Sequence, residues 1–245
     1  MISLTGKNIL ITGASSGIGR QVAITASELG ASVTLIGRNI IKLKETISLM
    51  TGLNHIYYSV DFSNSLNLEE LISNKMAFDG VVFNAGYLEY FPVKFLNLQR
   101  IENVFKINFE SNVLLSQKLI KNKMIKKKGS LVFVSSISSK LGVPGTSIYS
   151  ASKAALTTFS KVLASELASQ GIRSNAVCPG IIKTAMSEMA NEVSSTESFI
   201  KAESEYPLGY GEPNDVAGLI IYLLSDISKW MTGSEIIIDG GFTLK

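Results

Sequence analysis

The chain has 245 residues, 46% of them hydrophobic, and a formal charge of +3 from 23 basic and 20 acidic side chains. This length and apolar content support a sizeable core and exclude a disordered chain, and the near-balance of charge gives no basis for nucleic-acid binding. A single cysteine, Cys178, and a single histidine, His55, exclude an intrachain disulfide, a thiolate zinc site and any Ser-His-Asp mechanism that does not use His55. No apolar run approaches the ~20 residues of a membrane span. No basic stretch with an apolar segment precedes the first strand. The expectation is a cytoplasmic protein with no metal and no membrane partner, Cys178 being a buried thiol and His55 a structural residue at a strand entry. The dense basic run, Lys121, Lys123, Lys126, Lys127 and Lys128, is expected to complement a helix C-terminus.

Strands and helices alternate along the chain. Residues 8–12 form a short apolar run ending at Gly13, and Gly17 to Leu29 has helical spacing. A β-branched strand follows at Ser32–Ile36, then a helix over Ile40–Met50 and a strand at Ile56–Val60. Asn67-Leu-Glu-Glu70 opens a helix with a box-like cap, and Val81–Phe83 is a fourth strand. A long helical region spans about Leu98 to Lys123, with strands at Ser130–Val134, Arg173–Val177 and Ser234–Ile238 and a helix over Ile148–Ser169. Apolar strands between amphipathic helices predict an α/β fold: one Rossmann-type doubly wound parallel sheet of about seven strands, covered on both faces. No linker divides residues 1–245, which are read as one domain. The segment 181–206 lies at the carboxyl edge of the sheet, where such folds bind ligands, and is either a substrate lid or an ordinary long connection.

Three patterns carry chemistry. The first is Gly13-Ala-Ser15-Ser16-Gly17-Ile18-Gly19, between the first strand and the first helix. In such a loop the glycines allow a tight turn, close approach to a pyrophosphate and tight helix packing, and the helix N-terminus offers free N–H groups to phosphate. The second is the end of the second strand, Gly37-Arg38-Asn39, which has no acid to bond a ribose 2′-hydroxyl and instead has a guanidinium suited to a 2′-phosphate. NADP(H) is therefore expected over NAD. The third is Tyr149 and Lys153, four residues apart on one helical face, where the ammonium is expected to lower the phenol pKa and prepare it for proton transfer. Tyr90 and Lys94 share that spacing, but Pro92 between them opposes a helix.

With these motifs in order, the chain resembles the classical short-chain dehydrogenases/reductases, from Thr12 to Gly241. TGxxxGxG falls on Thr12–Gly19 and NAG on Asn84, Ala85 and Gly86. The resemblance implies catalytic Asn108, Ser136, Tyr149 and Lys153, with Tyr149 and Lys153 also touching the cofactor. It further implies Asp61 at the adenine, and Pro179, Gly180, Ile182 and Thr184 toward the nicotinamide, Thr184 at its carboxamide. The implied reaction is interconversion of a ketone and a secondary alcohol, with Tyr149 as proton donor and Asn108 holding a water that links Lys153 to solvent. The Tyr-x-x-x-Lys spacing differs from the wider spacing of enoyl reductases.

The pattern is most similar to that of bacterial 3-oxoacyl-acyl-carrier-protein reductases, which implies an acyl-linked substrate and a homodimer or homotetramer built on the two long helices. Two departures leave the substrate open. Tyr210 stands where the motif after Pro207 usually has Arg, and the two basic carrier-docking positions fall on Lys127 and Gln170. A ketone derived from a sugar, a polyol or a secondary metabolite stays possible, as does an NADP-binding sensor without turnover. Tyr87, Ser138, Leu141, Val143, Met186 and Met189 are read either as pocket lining or as core.

Overall fold

The computed structural model describes residues 2–63, 68–187 and 203–244. Short apolar runs, β1 (Asn8–Thr12), β2 (Ser32–Gly37), β3 (Ile56–Ser59), β4 (Phe78–Phe83), β5 (Ile125–Val134), β6 (Arg173–Pro179) and β7 (Glu235–Ile238), pair in a seven-stranded parallel sheet of order β3-β2-β1-β4-β5-β6-β7. The central strands alternate their side chains between two dry layers. Ile9 and Ile11 of β1 pack in one layer with Val22, Ala23 and Ala26 of α1 (Gly17–Glu28), and Leu10 packs in the other. That second layer holds Leu115 and Leu119 of α5 (Ser111–Lys121) and Leu156 and Leu163 of α6 (Ser147–Leu167). α2 (Ile40–Ser48) follows β2, α3 (Glu69–Ser73) follows β3, and α4 (Leu98–Phe105) leads into α5 through a wide π turn at Lys106–Glu110. Phe83 and Phe133 stack at 4.3 Å on the sheet, and Phe159 of α6 meets Phe133 edge-on at 5.9 Å and Phe109 of the π turn at 6.2 Å.

The chain order crosses over between β1 and β4, the switch point where open α/β sheets form a ligand crevice beyond the strand ends. Among the described residues no helix is long and apolar enough to cross a membrane.

Two features differ from the sequence reading. The structure has a further helix, α7 (Pro213–Leu224), which the alternation of elements above does not include. Its start is nonetheless written in the sequence: Pro213 takes the first turn and the Asp215 carboxylate accepts the Glu212 N–H at 2.7 Å. Its last carbonyls are held by Arg173, whose guanidinium donates to Leu223 O at 2.7 Å and Ser225 O at 3.2 Å. The basic run is also divided. α5 stops at Lys121, and Lys126 to Lys128 belong to β5, because Ile125 already pairs with Phe78 ahead of the main ladder. Lys126 is held there by Asp79 at 2.7 Å. The helix cap predicted at Asn67 lies outside the described residues.

Gly80 lies where β4 runs under α7, and a Cβ there would meet Leu224 Cδ2 at 2.5 Å and Ile9 Cδ1 at 2.9 Å. Gly80→Ala should destabilise the protein by roughly 1–3 kcal/mol through overpacking, read as a lower urea midpoint with an unchanged slope.

Candidate active site

The crevice starts at the end of β1. The Thr12 hydroxyl donates to Val82 O and accepts the backbone N–H groups of Asn84 and Ala85 at 2.9 and 3.0 Å, tying β1 to the turn after β4. The Asn84 amide returns bonds to Thr12 O and Gly13 O. Gly13 and Gly17 have φ of +66° and +54°, a region L side chains avoid. A Cβ on Gly19 would sit 2.4 Å from Gly13 O, so only glycine lets α1 start this close to the loop. Ser16 precedes α1 without a side-chain cap, so the N–H groups of the first turn, from Gly17, Ile18 and Gly19, keep no side-chain partner from it. Arg20 braces the loop from behind, donating to Ser15 O at 2.8 Å and pairing with Glu45 at 3.2 Å. A strained, bare, positively polarised cradle of this kind fits the pyrophosphate of a dinucleotide.

The neighbouring strand ends extend the cradle. Gly37 ends β2 against the Ser15 side chain, followed by the exposed Arg38. The Asn39 side chain is committed to capping α2 through Lys42 N. Asp61 follows β3, its carboxyl held below the usual range by the Ser63 hydroxyl and N–H and by Arg38. On the other side Pro179 ends β6, Gly180 bonds Ile238 O, and Ile182 bridges to Gly211. Thr184 comes back to the glycine loop, so that a Cβ on Gly17 would meet its Cγ2 at 3.1 Å. Gly86 lies where a Cβ would meet Lys153 Nζ at 3.3 Å and Asn108 Oδ1 at 3.5 Å. The structure thus gathers the sequence-predicted cofactor residues along the carboxyl edge of the sheet.

The reactive groups meet beside this cradle. Ser136 follows β5 and starts a tight turn, its hydroxyl accepting the Ser138 N–H at 3.1 Å. Tyr149 and Lys153 share one face of α6, with Nζ 5.8 Å from the phenol ring centre. The buried Lys153 ammonium donates to Val134 O at 2.8 Å. The Ser135 hydroxyl donates to Lys153 O, and Thr157 donates to Ser135, locking helix to strand. Asn108, fully buried in the π turn, accepts the Tyr87 N–H at 2.7 Å and donates to Tyr87 O at 2.9 Å and to the Ser152 hydroxyl at 3.0 Å. Ser152 in turn donates to Tyr149 O.

The expectation of a lowered phenol pKa is corrected. Burial pushes Tyr149 up to about 12, against a smaller downward pull from the Ser136 hydroxyl. Burial also pushes Lys153 down to about 8. Lys153 aims its ammonium at the Val134 carbonyl, and a desolvated pocket disfavours charge on both groups. Tyr149 therefore holds its proton firmly at neutral pH.

His55 is structural: its Nδ1 accepts the Val33 N–H at 3.2 Å. Tyr90 lies in no helix, and Lys94 sits over the Phe95 ring. Of the positions read as pocket or core, Tyr87 and Met186 are exposed and Ser138, Leu141 and Val143 half-buried, while Met189 lies outside the described residues. Sequence reasoning missed the bracing groups Arg20, Ser135, Ser152 and Thr157, and also Tyr206, which accepts the Ile181 N–H. A hydroxyl one residue before Ser136, and another before Lys153, were the available signals. Among the described residues no group of three or more His, Cys, Asp or Glu side chains could hold a metal.

A family model described as enoyl-(acyl carrier protein) reductase matches residues 13–243. The chain belongs to the short-chain dehydrogenase/reductase family. It is 37% identical to a 3-oxoacyl-[acyl-carrier-protein] reductase of Rickettsia felis over 100% of both chains. It is also 32% identical to an L-xylulose reductase of Caenorhabditis elegans, over 98% of this chain and 96% of the relative. A solved Agrobacterium tumefaciens structure described as a 2-deoxy-D-gluconate 3-dehydrogenase with bound NADP superposes with TM-score 0.86 at 27% identity, covering 99% of this chain and 98% of that one. The protein is an oxidoreductase of a family that works with nicotinamide cofactors.

The buried Lys153 has a stability signature. Between pH about 8 and 10.5 the unfolded chain binds a proton that the folded protein does not, so this group makes stability rise with pH across that window. Urea midpoints should show wild type gaining on Lys153→Met from about pH 8 upward, and a constant difference would contradict the assignment.

Proposed function

We propose that the protein is an NADP(H)-dependent ketoreductase acting on a 3-oxoacyl thioester presented by an acyl carrier protein. The observation that carries the reaction is the meeting of Ser136, Tyr149 and Lys153 beside the glycine cradle, with Tyr149 held protonated. Full-length similarity to 3-oxoacyl-carrier reductases supports the substrate. The four-residue Tyr–Lys spacing supports a carbonyl rather than an enoyl substrate.

When bound, NADPH supplies the hydride for the carbonyl carbon. The Ser136 and Tyr149 hydroxyls would bond the carbonyl oxygen where negative charge develops. Tyr149 would then give its proton to that oxygen as negative charge grows on it. The Lys153 ammonium, fixed by Val134 O, would stabilise the phenolate left behind and reach the nicotinamide ribose. Asn108 would hold the water that carries a proton back to Lys153. Gly13, Ser15, Ser16, Gly17, Ile18 and Gly19 would hold the pyrophosphate, Arg38 the 2′-phosphate, and Asp61 with Asn84, Ala85 and Gly86 the adenine side. Pro179, Gly180, Ile182 and Thr184 would frame the nicotinamide.

For the carrier, Lys127 and Lys128 are both exposed, and Lys128 adjoins Gly171, the residue after Gln170, since a Cβ on Gly171 would meet Lys128 Cγ at 3.3 Å. Lys128 thus supplies the second positive charge where Gln170 departs from the pattern. We read residues 1–245 as one domain. The candidate lid 181–206 falls largely on 188–202, outside the described residues; of its described ends, Lys183 pairs with Glu203 at 3.5 Å. The exposed Leu98 and Leu114 on α4 and α5, and Val162 on α6, support a homodimer or homotetramer. A sugar-derived ketone is the second reading, favoured by the similarity to an L-xylulose reductase.

The test is NADPH oxidation with acetoacetyl-acyl carrier protein against L-xylulose. The proposal expects turnover on the thioester and a higher KM for it in Lys127→Glu/Lys128→Glu. Turnover on xylulose alone would favour the second reading. Arg38→Asp should weaken NADPH on the order of tenfold, about 1.4 kcal/mol, while sparing NADH.

A further inference from the structure

Asn112 is buried in α5, one turn beyond Asn108, and no step of the proposed reaction uses it. Its side-chain Nδ2 donates to the backbone carbonyl of Asn108 at 2.8 Å. That carbonyl lies in the π turn, where Ser111 N–H bonds Lys106 O five residues back rather than four. A wide turn displaces carbonyls from the regular helical ladder, and each needs another donor when buried. Here side chains reach the carbonyls of the turn: Ser111 Oγ donates to Ile107 O at 2.7 Å and Asn112 Nδ2 to Asn108 O at 2.8 Å. A buried amide is costly unless bonded and is unusual inside a helix that packs on a sheet.

The Asn108 peptide is where this local repair meets the active site. Its side chain clasps both backbone groups of Tyr87 and reaches Ser152, which bonds Tyr149 O. A continuous buried line therefore runs Asn112–Asn108–Ser152–Tyr149. The direction of the Asn108 side chain depends on the orientation of its own peptide, and Asn112 holds that peptide by its oxygen. We propose that Asn112 is a positioning residue: by holding the Asn108 carbonyl it fixes the π turn at residue 108 and so sets Asn108 against the catalytic helix. Without it the wide turn is free to slide along the helix, because the extra residue can be accommodated in neighbouring turns.

This inference rests on the catalytic reading of Ser136, Tyr149 and Asn108, and the test separates the two. Asn112→Leu removes the donor at similar volume, and Asn112→Thr keeps a small polar donor in case the first variant does not fold. In folded apo protein, NMR of the Asn108 side-chain amide should show its protons exchanging roughly ten- to hundredfold faster in Asn112→Leu, while NADPH binding by fluorescence stays within twofold of wild type. With acetoacetyl-CoA as probe, kcat should fall roughly ten- to hundredfold at unchanged KM for NADPH, the cost of a misplaced catalytic group, with partial recovery in Asn112→Thr. Unchanged amide protection together with full kcat in a folded Asn112 variant would overturn the inference. Full kcat in Ser136→Ala would instead mark failure of the catalytic reading, and the amide exchange would still decide the role of Asn112.

Discussion

The active site depends on one buried contact, the Lys153 ammonium on the last carbonyl of β5, Val134 O, at 2.8 Å. It joins the central sheet to α6, the helix that carries Tyr149. A lone ammonium in a dry layer is unfavourable, and burial pushes its pKa down to about 8. The fold tolerates the cost because the surrounding backbone is committed elsewhere: Ser135 and Thr157 tie the same helix turn to the same strand. The Lys153 position is thereby fixed by the sheet, and with it the phenol one turn earlier.

The second constraint is the switch point. β1 and β4 are adjacent, so their exits diverge and leave room beyond the strand ends. Thr12 and Asn84 cross-link the two exits, and the glycine loop then has to turn with positive φ and with no Cβ at residue 19. The glycine loop, Asn84 and Ser136 all follow strand ends, which is why residues distant in sequence arrive along one edge.

Much of this was legible beforehand. The parallel sheet covered on both faces follows from the alternation of apolar strands and amphipathic helices, and the glycine spacing can be read because φ and close packing leave no substitute for glycine there. The Tyr149–Lys153 pair is legible because helical periodicity places both on one face. Three matters were not. α7 escaped notice because its apolar run is nearly continuous, although Pro213 and Asp215 mark its start. The extension of β5 depends on a pairing of Ile125 with Phe78, a long-range contact that no local pattern encodes. The direction of the Tyr149 shift was inverted because spacing reports proximity to Lys153, whereas burial and the aim of the ammonium are tertiary properties.

The central claim is that Tyr149 is the proton donor. It is tested most directly by comparing wild type with Tyr149→Phe for NADPH oxidation on a 3-oxoacyl thioester, with cofactor binding measured separately by fluorescence. The account predicts that the variant folds, binds NADPH as wild type does and turns over at least about a hundredfold more slowly. Wild-type turnover by the Tyr149→Phe protein would contradict it.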